Sequence, residues 1–459
     1  MFRIFVPLVV LIVFMSTSGL RGQTFSILYA FTNGFDGAGP VSGLLLSSNR
    51  LYGDTSSGGR FGYGTLYSVN TDGTGFSVLD TMTNAVEGLG LSSLTISGNN
   101  LFGTTQQGGS NFQGTIFSAN INGTNFNTLH VLSGENGDGT TPGDGLVLAG
   151  NTLYGTGCFG GINNEGGIFS INIDGTGFTN FYSFNLNSNE NGADPLTGLC
   201  LSGNTLYGTT GIGGTNADGT IFSINTDGSD FTTLHNFIGG TNDGSRPMGR
   251  LVLSGGTLYG TTYGGGAYGP GIIFSLNTNG TGYTILHSFS DLQGDGDAPE
   301  SGLTLSKDTL FGMTCFGGMG QVGTLFMLNT NGSNFTILHQ FNRQMEGAYP
   351  QSDLVFSGST LYGTLPDDGS KGYGALFGFT IVPNINTVQQ SGNNLTISSK
   401  MGLAGHVYTL LSGTNLAMPI TQWLPVATNS LAASGNFVMT ATNVMNSAVS
   451  QQFFILQVQ

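Results

Sequence analysis

The feature that most constrains this chain is a cassette that returns seven times. The leucine of an LYG or LFG triplet falls at Leu51, Leu101, Leu153, Leu206, Leu258, Leu310 and Leu361, at intervals of 50 to 53 residues. Self-similarity at a period near 50 marks a repeat architecture in which each unit buries its apolar face against its neighbours. One unit, Gly249 to Phe289, parses into four short segments: RLVLSG (Arg250–Gly255), TLYGTTY (Thr257–Tyr263), GIIFSLNT (Gly271–Thr278) and YTILHSF (Tyr283–Phe289). All are rich in β-branched and aromatic residues and bounded by Gly and Asn, which predicts strands. Asn279-Gly280 joins the last two, with counterparts at Asp72-Gly73, Asn122-Gly123, Asp174-Gly175, Asp227-Gly228 and Asn331-Gly332, a strong hairpin signal. No helical period is visible in the array.

Four antiparallel strands per unit predict an all-β fold, a seven-bladed β-propeller, in preference to an open solenoid or two smaller rings. The ends of the array support a ring. The fourth-strand pattern appears once too early, as FSILYAF from Phe25, and the seventh unit leaves the pattern at Val382-Pro383 without its own fourth strand. The early strand would complete the last blade and remove two exposed sheet edges. The expected domains are 1–22 as an export signal, 23–382 as the propeller and 383–459 as a C-terminal β-sandwich. In that last segment INTVQQSG, NNLTISS, HVYTLLSGTNL, WLPVATN, GNFVMTAT and QQFFILQVQ read as short strands, and Trp423, the single tryptophan, reads as core.

The N-terminus, with Arg3, an apolar run from Ile4 to Met15 and small residues from Ser16 to Gly22, predicts a signal peptide and a secreted or cell-surface protein. No second apolar stretch is long enough to span a membrane, so the mature chain is expected to have no membrane span. Ten Lys and Arg against 25 Asp and Glu give a net charge of −15, which excludes nucleic acid and anionic membrane surfaces as partners. Cys158, Cys200 and Cys315 are odd in number and lack metal-ligand spacing; they read as tolerated small residues.

The recurring GLVL, LYGTT, Gly-Gly, GTIF and DGTGF motifs, in register seven times from Phe25 to Thr380, resemble the bacterial GloVer tandem repeat. That resemblance implies export and a repeat fold and brings no established activity. The family's usual C-terminal anchor is not evident in QQFFILQVQ, while YTLLSGTNL followed by WLPVA looks like the small immunoglobulin- or fibronectin-like sandwich that ends many secreted bacterial proteins.

Candidate chemistry is sparse. GTTYGGG leads into a strand with no Lys nearby, so it reads as a tight loop and not a phosphate cradle. His130, His235, His287 and His339 share one place in the fourth strand, where other units have Tyr29, Asp80 and Tyr182. Spread around the outer rim, they are expected to pack beside the strand Phe residues and not to form a triad or metal site; His406 lies in the other domain. No catalytic set of the serine-hydrolase kind is seen. Quinone-dependent dehydrogenases use glycine-rich propellers locked by repeated tryptophans, and this array contains none.

The loop between one unit's fourth strand and the next unit's first carries more. Pro40, Pro142, Pro195, Pro247, Pro299 and Pro350 each stand four residues before a first-strand Leu, and Asp36, Asp138, Asn191, Asp243, Asp295 and Glu346 stand four residues before each Pro. The unit around Glu87 departs. Two readings stand: a turn stiffened by proline, or a ring of ligand-facing acids, with Phe159, Tyr263, Tyr268 and Phe316 as stacking faces. The second predicts recognition of a glycan, a cell-surface component or a cation, with calcium the candidate cofactor. Two function classes follow: a noncatalytic secreted binding or adhesion protein, or a polysaccharide-active hydrolase or lyase. A glycosidase needs one defined carboxylate pair, and the repeats single out none. The clearest breaks in repeat symmetry are the long loop Ser183–Pro195 and the Arg246/Arg250 pair, so binding is favoured.

Overall fold

The computed structural model describes residues 9–12, 23–83, 88–134, 138–186, 191–290, 294–381, 384–400, 407–413, 422–430, 437–444 and 451–458. Within them the chain is all-β, built from many antiparallel sheets and a single 3-10 turn, Gly240–Asn242. In the fifth repeat the strands are Val252–Ser254, Thr257–Thr262, Ile272–Asn277 and Thr284–Ser288, paired in chain order. These lie within the predicted segments and trim their ends. The other repeats form the same four-stranded arrangement, to which the second and third add a further short strand, Leu89–Leu91 and Gly139–Pro142, on their second strands. In the seventh, Thr24–Ala30 pairs antiparallel with Ala375–Thr380, so the early FSILYAF segment supplies the missing outer strand.

Each sheet repeats three local solutions. First, the LYG glycine is required by a neighbour, not by its dihedral angles. A Cβ on Gly260 would lie 2.6 Å from the Phe274 ring, and the same clash recurs at Gly103, Gly155, Gly208, Gly312 and Gly363. Second, the hairpin between third and fourth strands is held by side chains. Asn279 Oδ1 accepts the Thr281 amide and hydroxyl, and Asn277 Nδ2 reaches Thr281 Oγ1. The positive φ that such turns require is taken by Gly280, at 80°, while the residue before it acts through its side chain. Third, the fourth strand carries a bulge. Ile273 opposes His287 while Phe274 opposes Ile285, which leaves Leu286 as the extra residue and re-aims His287. The same shift occurs in all seven sheets.

Neighbouring sheets share their cores. Tyr207 and Ile221 of the fourth repeat pack with Leu258, Phe274 and Leu276 of the fifth. Another cluster joins Tyr362 and Leu376 of the seventh repeat, Phe31, and Leu44, Leu51, Tyr67 and Val69 of the first. The first strands of all seven repeats line one cavity of ≈ 800 Å³, walled by residues such as Leu45, Thr95, Val147, Val252, Leu305 and Val355. Cys200 takes the Val position in that wall. Cys158 and Cys315 are buried, and all three thiols are free.

Beyond residue 383, Asn384–Ser391, Asn394–Lys400 and Phe437–Ala441 form one sheet; Val407–Gly413, Leu424–Ser430 and Gln451–Val458 form a second. Leu395, Ile397 and Met439 from the first share a core with Tyr408, Leu410 and Phe454 from the second. Trp423 is buried, as expected of core, with Gly413 against its ring. Of the segment read as an export signal, Val9–Ile12 runs parallel to Gln451–Phe454; the rest of 1–22 lies outside the described residues, as do His406, Glu87 and Val382-Pro383.

Candidate functional site

The acidic proline loops are where sequence reasoning pointed, and the structure turns most of their acids inward. Asp243 is 3% exposed. It accepts hydrogen bonds from the Ile238 and Gly244 amides at 2.9 and 2.8 Å, from Tyr283 Oη at 2.5 Å and from His235 Nε2 at 3.2 Å. Burial alone would raise its pKa; the bonds from His235, Tyr283 and the two amides outweigh that and hold it below the usual value. The same latch is built by His287 on Asp295 at 3.0 Å and His339 on Glu346 at 2.9 Å, and Tyr29 donates to Asp36 at 3.1 Å. His130 approaches Asp138 at 3.5 Å, and Asp138 also takes the Ser133 amide and hydroxyl. Asn191 stands half-buried at the matching place in the third loop.

The latch also reaches the next sheet. His235 stacks on Tyr283 at 3.9 Å, His287 on Phe335 at 3.6 Å, His339 on Phe25 at 4.3 Å, His130 on Phe178 at 3.7 Å, Tyr182 on Phe231 at 4.2 Å and Tyr29 on Phe76 at 3.7 Å. The prolines work on the same seams. A Cβ on Gly271 would touch Pro299 Cδ at 2.9 Å, and on Gly374 would touch Pro40 Cδ at 2.7 Å. The seam between the first and second repeats has Asp80 in place of the His or Tyr, and Gly90 in place of the Pro. The predicted ring of ligand-facing acids is therefore corrected. Asp36, Asp243 and Asp295 are buried, and with Glu346 they are spent on amides and latch partners; Asp138 spends Oδ2 in the same way, while its Oδ1 is buried and accepts no hydrogen bond. The turn reading of these loops is the one the geometry matches. Among the described residues no group of three His, Cys, Asp or Glu side chains is gathered to hold a metal ion.

The proposed stacking faces fare differently. Phe159, Tyr268 and Phe316 are exposed, at 48%, 60% and 36%, Phe316 with one edge against Tyr349, whereas Tyr263 lies under the Arg246 guanidinium at 5.5 Å. Tyr263, Tyr268 and Phe316 follow the second strand of their repeats, and Phe159 lies near the end of the strand Thr152–Gly160. The loops between second and third strands pair with the acidic proline loops at Ala38–Ser57, Ala193–Ile212 and Asp297–Phe316, so both loop sets share one end of the sheets.

At that end lies a cavity of ≈ 390 Å³, lined by Ser42, Ser92, Gln106, Asp144, Thr197, Met248, Arg250, Glu300, Gln351 and Asp353 among others. Arg250 and Asp353 also line the wider space between the first strands, so the two cavities meet at these side chains. The residue before the first-strand Leu is Gly in four repeats, but Ser93, Arg250 and Asp353 in the others. Two residues before the Leu stand Ser42, Ser92, Thr197, Ser301 and Ser352, with Asp144 in the third repeat. In three repeats the hydroxyl bonds to a Thr on the second strand, as in Thr197–Thr209 at 2.9 Å and Thr364–Ser352 at 2.7 Å, while Ser301 bonds the Met313 main chain. In the first repeat that threonine is Asp54. Its Oδ2 takes Ser42 Oγ at 2.5 Å, and its Oδ1 accepts no hydrogen bond though the residue is only 1% exposed.

Burial, followed by the nearby Asp144, lifts Asp54 to about 7 against the stabilising Ser42 bond. Burial and Asp144 likewise raise Asp353 to about 6, opposed by Arg250 and the Gly302 amide. Burial raises Glu300, and its bonds to Gln351 and Cys315 pull the other way. Asp54, Asp144, Glu300 and Asp353 escaped sequence reasoning because each occurs once. Aligning the seven repeats and marking single departures would have found them; Arg250 was found that way.

The chain shares 16% identity with the Niastella koreensis GH74 enzyme over 83% of this chain and 59% of that one, with a TM-score of 0.49. An oligogalacturonate lyase in complex with manganese gives 12% identity over 76% and 90%, with a TM-score of 0.49. A chain of a nidogen/laminin complex gives 13% over 63% and 93%, with a TM-score of 0.40. No curated protein matches the sequence. Among the described residues no helix is long and apolar enough to cross a membrane. The Gloeobacter/Verrucomicrobia repeat model matches residues 12–199 and 176–377, the whole cassette array. The chain belongs to the Gloeobacter/Verrucomicrobia repeat family.

Proposed function

We propose that the seven sheets are the blades of a closed propeller, and that the chain is an exported, noncatalytic binding protein whose ligand sits at the mouth of the central channel. The observation that carries this reading is where the repeats stop being alike. Packing requires every blade to solve the same problem, so a side chain that departs from the pattern and lines a polar cavity is a candidate for function, even where, as with Asp144 on the Ser93 amide and Asp353 on the Gly302 amide, it also bonds the neighbouring repeat. Asp144, Arg250, Glu300 and Asp353 are such departures. They line one polar cavity, and Asp54 lies beside it. A concave site with a few converging polar groups is the usual form of a small-ligand site. The test is a glycan-binding screen on the full chain, with and without calcium, beside an Arg250→Ala, Asp353→Asn variant. Retention by the wild type with at least tenfold loss in the variant is expected. Unchanged retention by the variant would move the site away from the mouth.

A second reading, a polysaccharide-active enzyme, has one observation in its favour. Glu300 and Asp353 are carboxyls raised by burial at a cavity mouth, the property of a proton donor. Release of reducing ends from a retained glycan would establish it.

A further inference from the structure

We infer that the loops at the seam between the seventh and first repeats form a binding surface for an acidic polysaccharide. Its sugar rings lay their C–H faces on Phe35, Phe61 and Tyr373, and its carboxylates meet Arg60 and Lys371. These side chains line neither cavity, so the surface is separate from the channel mouth and does not rest on the reading above.

The first ground is where apolar surface is left in water. Among the described residues of 23–381, every exposed large apolar side chain except Ile27 stands at the loop end of the sheets. The opposite end is closed by the polar Asn-Gly and Asp-Gly hairpins. Four loops around the first and seventh repeats are joined by main-chain hydrogen bonds. Gly59 N donates to Gly34 O at 2.9 Å, Gly39 N to Tyr373 O at 3.1 Å and Gly369 N to Arg343 O at 2.9 Å. On these joined loops Phe35 is 77% exposed, and Phe61, Tyr63 and Tyr373 are exposed with it. The other five repeats together leave four rings exposed among their described residues, Phe112, Phe159, Tyr268 and Phe316. A contiguous apolar patch rimmed by polar groups marks an interaction site.

The second ground is charge. Across all seven repeats, Arg60 and Lys371 are the only Lys or Arg between a second and a third strand, and both stand in this run of loops. Both are exposed, and among the described residues neither makes an ion pair. Arg60 lies beside the Phe61 ring, at 5.3 Å from its centroid. Arg343 adds a third cation, held by Asp368 at 3.2 Å with Asp367 next in the chain. Asp36 and Glu346, in the same loops, are spent on their latches. The third and fourth repeats have Glu165 and Asp218 in the corresponding loops, so positive charge on this face is confined to the seam in a chain of net charge −15.

The third ground selects the ligand. A uronic acid carries in one unit both complements of this surface, an apolar C–H face for a ring and a planar carboxylate for a guanidinium or ammonium. Two unpaired cations are too few for a nucleic acid, which carries a charge at every phosphate. A second copy docked patch to patch would bring Arg60 and Lys371 against their own equivalents, because a twofold contact uses the same surface on both partners.

Calorimetric titration of the full chain at low salt tests this, with hexamers of mannuronate, glucuronate and galacturonate, mannohexaose as the neutral counterpart, and a capped glutamate hexapeptide. At least one uronate hexamer should bind at least tenfold tighter than mannohexaose and the peptide, and added salt should weaken it. Arg60→Gln with Lys371→Gln should remove the preference over mannohexaose. Phe61→Ala with Tyr373→Ala should weaken uronate binding at least tenfold, while Phe112→Ala and Arg250→Ala leave it unchanged. The patch positions are exposed, so both double variants should keep the wild-type circular dichroism spectrum. Equal binding of uronate and mannohexaose overturns the charge assignment, and tighter binding of the peptide overturns the sugar. Uronate binding lost in Arg250→Ala and kept in both patch variants puts the ligand at the mouth and overturns this surface. A wild-type dimer in sedimentation that Phe61→Ala with Tyr373→Ala turns to monomer gives the patch to a second copy and overturns the inference, as does no binding of any uronate.

Discussion

Asp243 offers the sharpest test of the latch. Replacing it with Ala would leave two main-chain amides, Ile238 and Gly244, without their acceptor, along with the Tyr283 hydroxyl and His235 Nε2. An orphaned buried donor costs about 1–3 kcal/mol, and local water will reach some of these four, so the loss should be roughly 3–5 kcal/mol. Asp243→Asn keeps one acceptor oxygen and should lose about 1–2 kcal/mol. Asn191→Ala in the matching loop is the control, because no carboxylate is lost there. Urea unfolding followed by circular dichroism measures all three. The pH dependence gives a second readout. The folded-state pKa of Asp243 lies below its ordinary value of 3.8. Its contribution is therefore complete above about pH 4 and is lost as pH falls through the depressed value. The gap between wild type and Asp243→Asn should be constant from pH 8 to pH 5 and close at more acid pH. A gap no larger than that of Asn191→Ala, or one that does not change in acid, would refute the reasoning.

Asp54→Asn should stabilise the protein at neutral pH. An acid raised from 3.8 to about 7 is ionised in the unfolded chain before it is in the folded one, so its penalty grows from about pH 4 to about pH 7; a gain of roughly 1–3 kcal/mol at pH 7.5, absent at pH 4, is expected in urea unfolding. Gly260→Ala should cost roughly 1–3 kcal/mol by overpacking against Phe274, and Phe274→Leu in the same chain should recover part of it in the same assay. At the first seam, where Asp80 takes the place of the His or Tyr, Asp80→Tyr should place a ring toward Phe126 and raise stability by about 0.5–1.5 kcal/mol, seen as a higher urea midpoint.

The strands, the hairpins and the borrowed outer strand were legible because packing must be solved the same way in each repeat, so its signals recur seven times. The acids of the proline loops were legible as a pattern but not in their direction. An aspartate before Gly and Pro serves equally as a ligand or as an internal acceptor. The clue that separates the two was present in the spacing. His235 and Asp243, and His287 and Asp295, stand eight residues apart, while the repeat with Asp80 in the histidine place also lacks the proline. A ligand-facing acid has no reason to keep company with a residue on the outermost strand; a latch does.

The same logic explains why the mouth was nearly missed. Asp54 replaces a threonine, Asp353 a glycine and Asp144 a serine or threonine, and each substitution is unremarkable in its own repeat. Only their convergence on one cavity gives them meaning, and convergence belongs to the fold. Asp54 sharpens the point, since burying it ionised is costly and five of the other six repeats use a threonine at that place, the sixth repeat having Met313. A chain that keeps an unpaired carboxylate where an uncharged side chain would serve is accepting a loss of stability at that point. Losses of that kind are found where a site must be ready for something the protein alone does not supply. What recurs in this array is the answer to packing, and what departs from it is where a ligand should be sought.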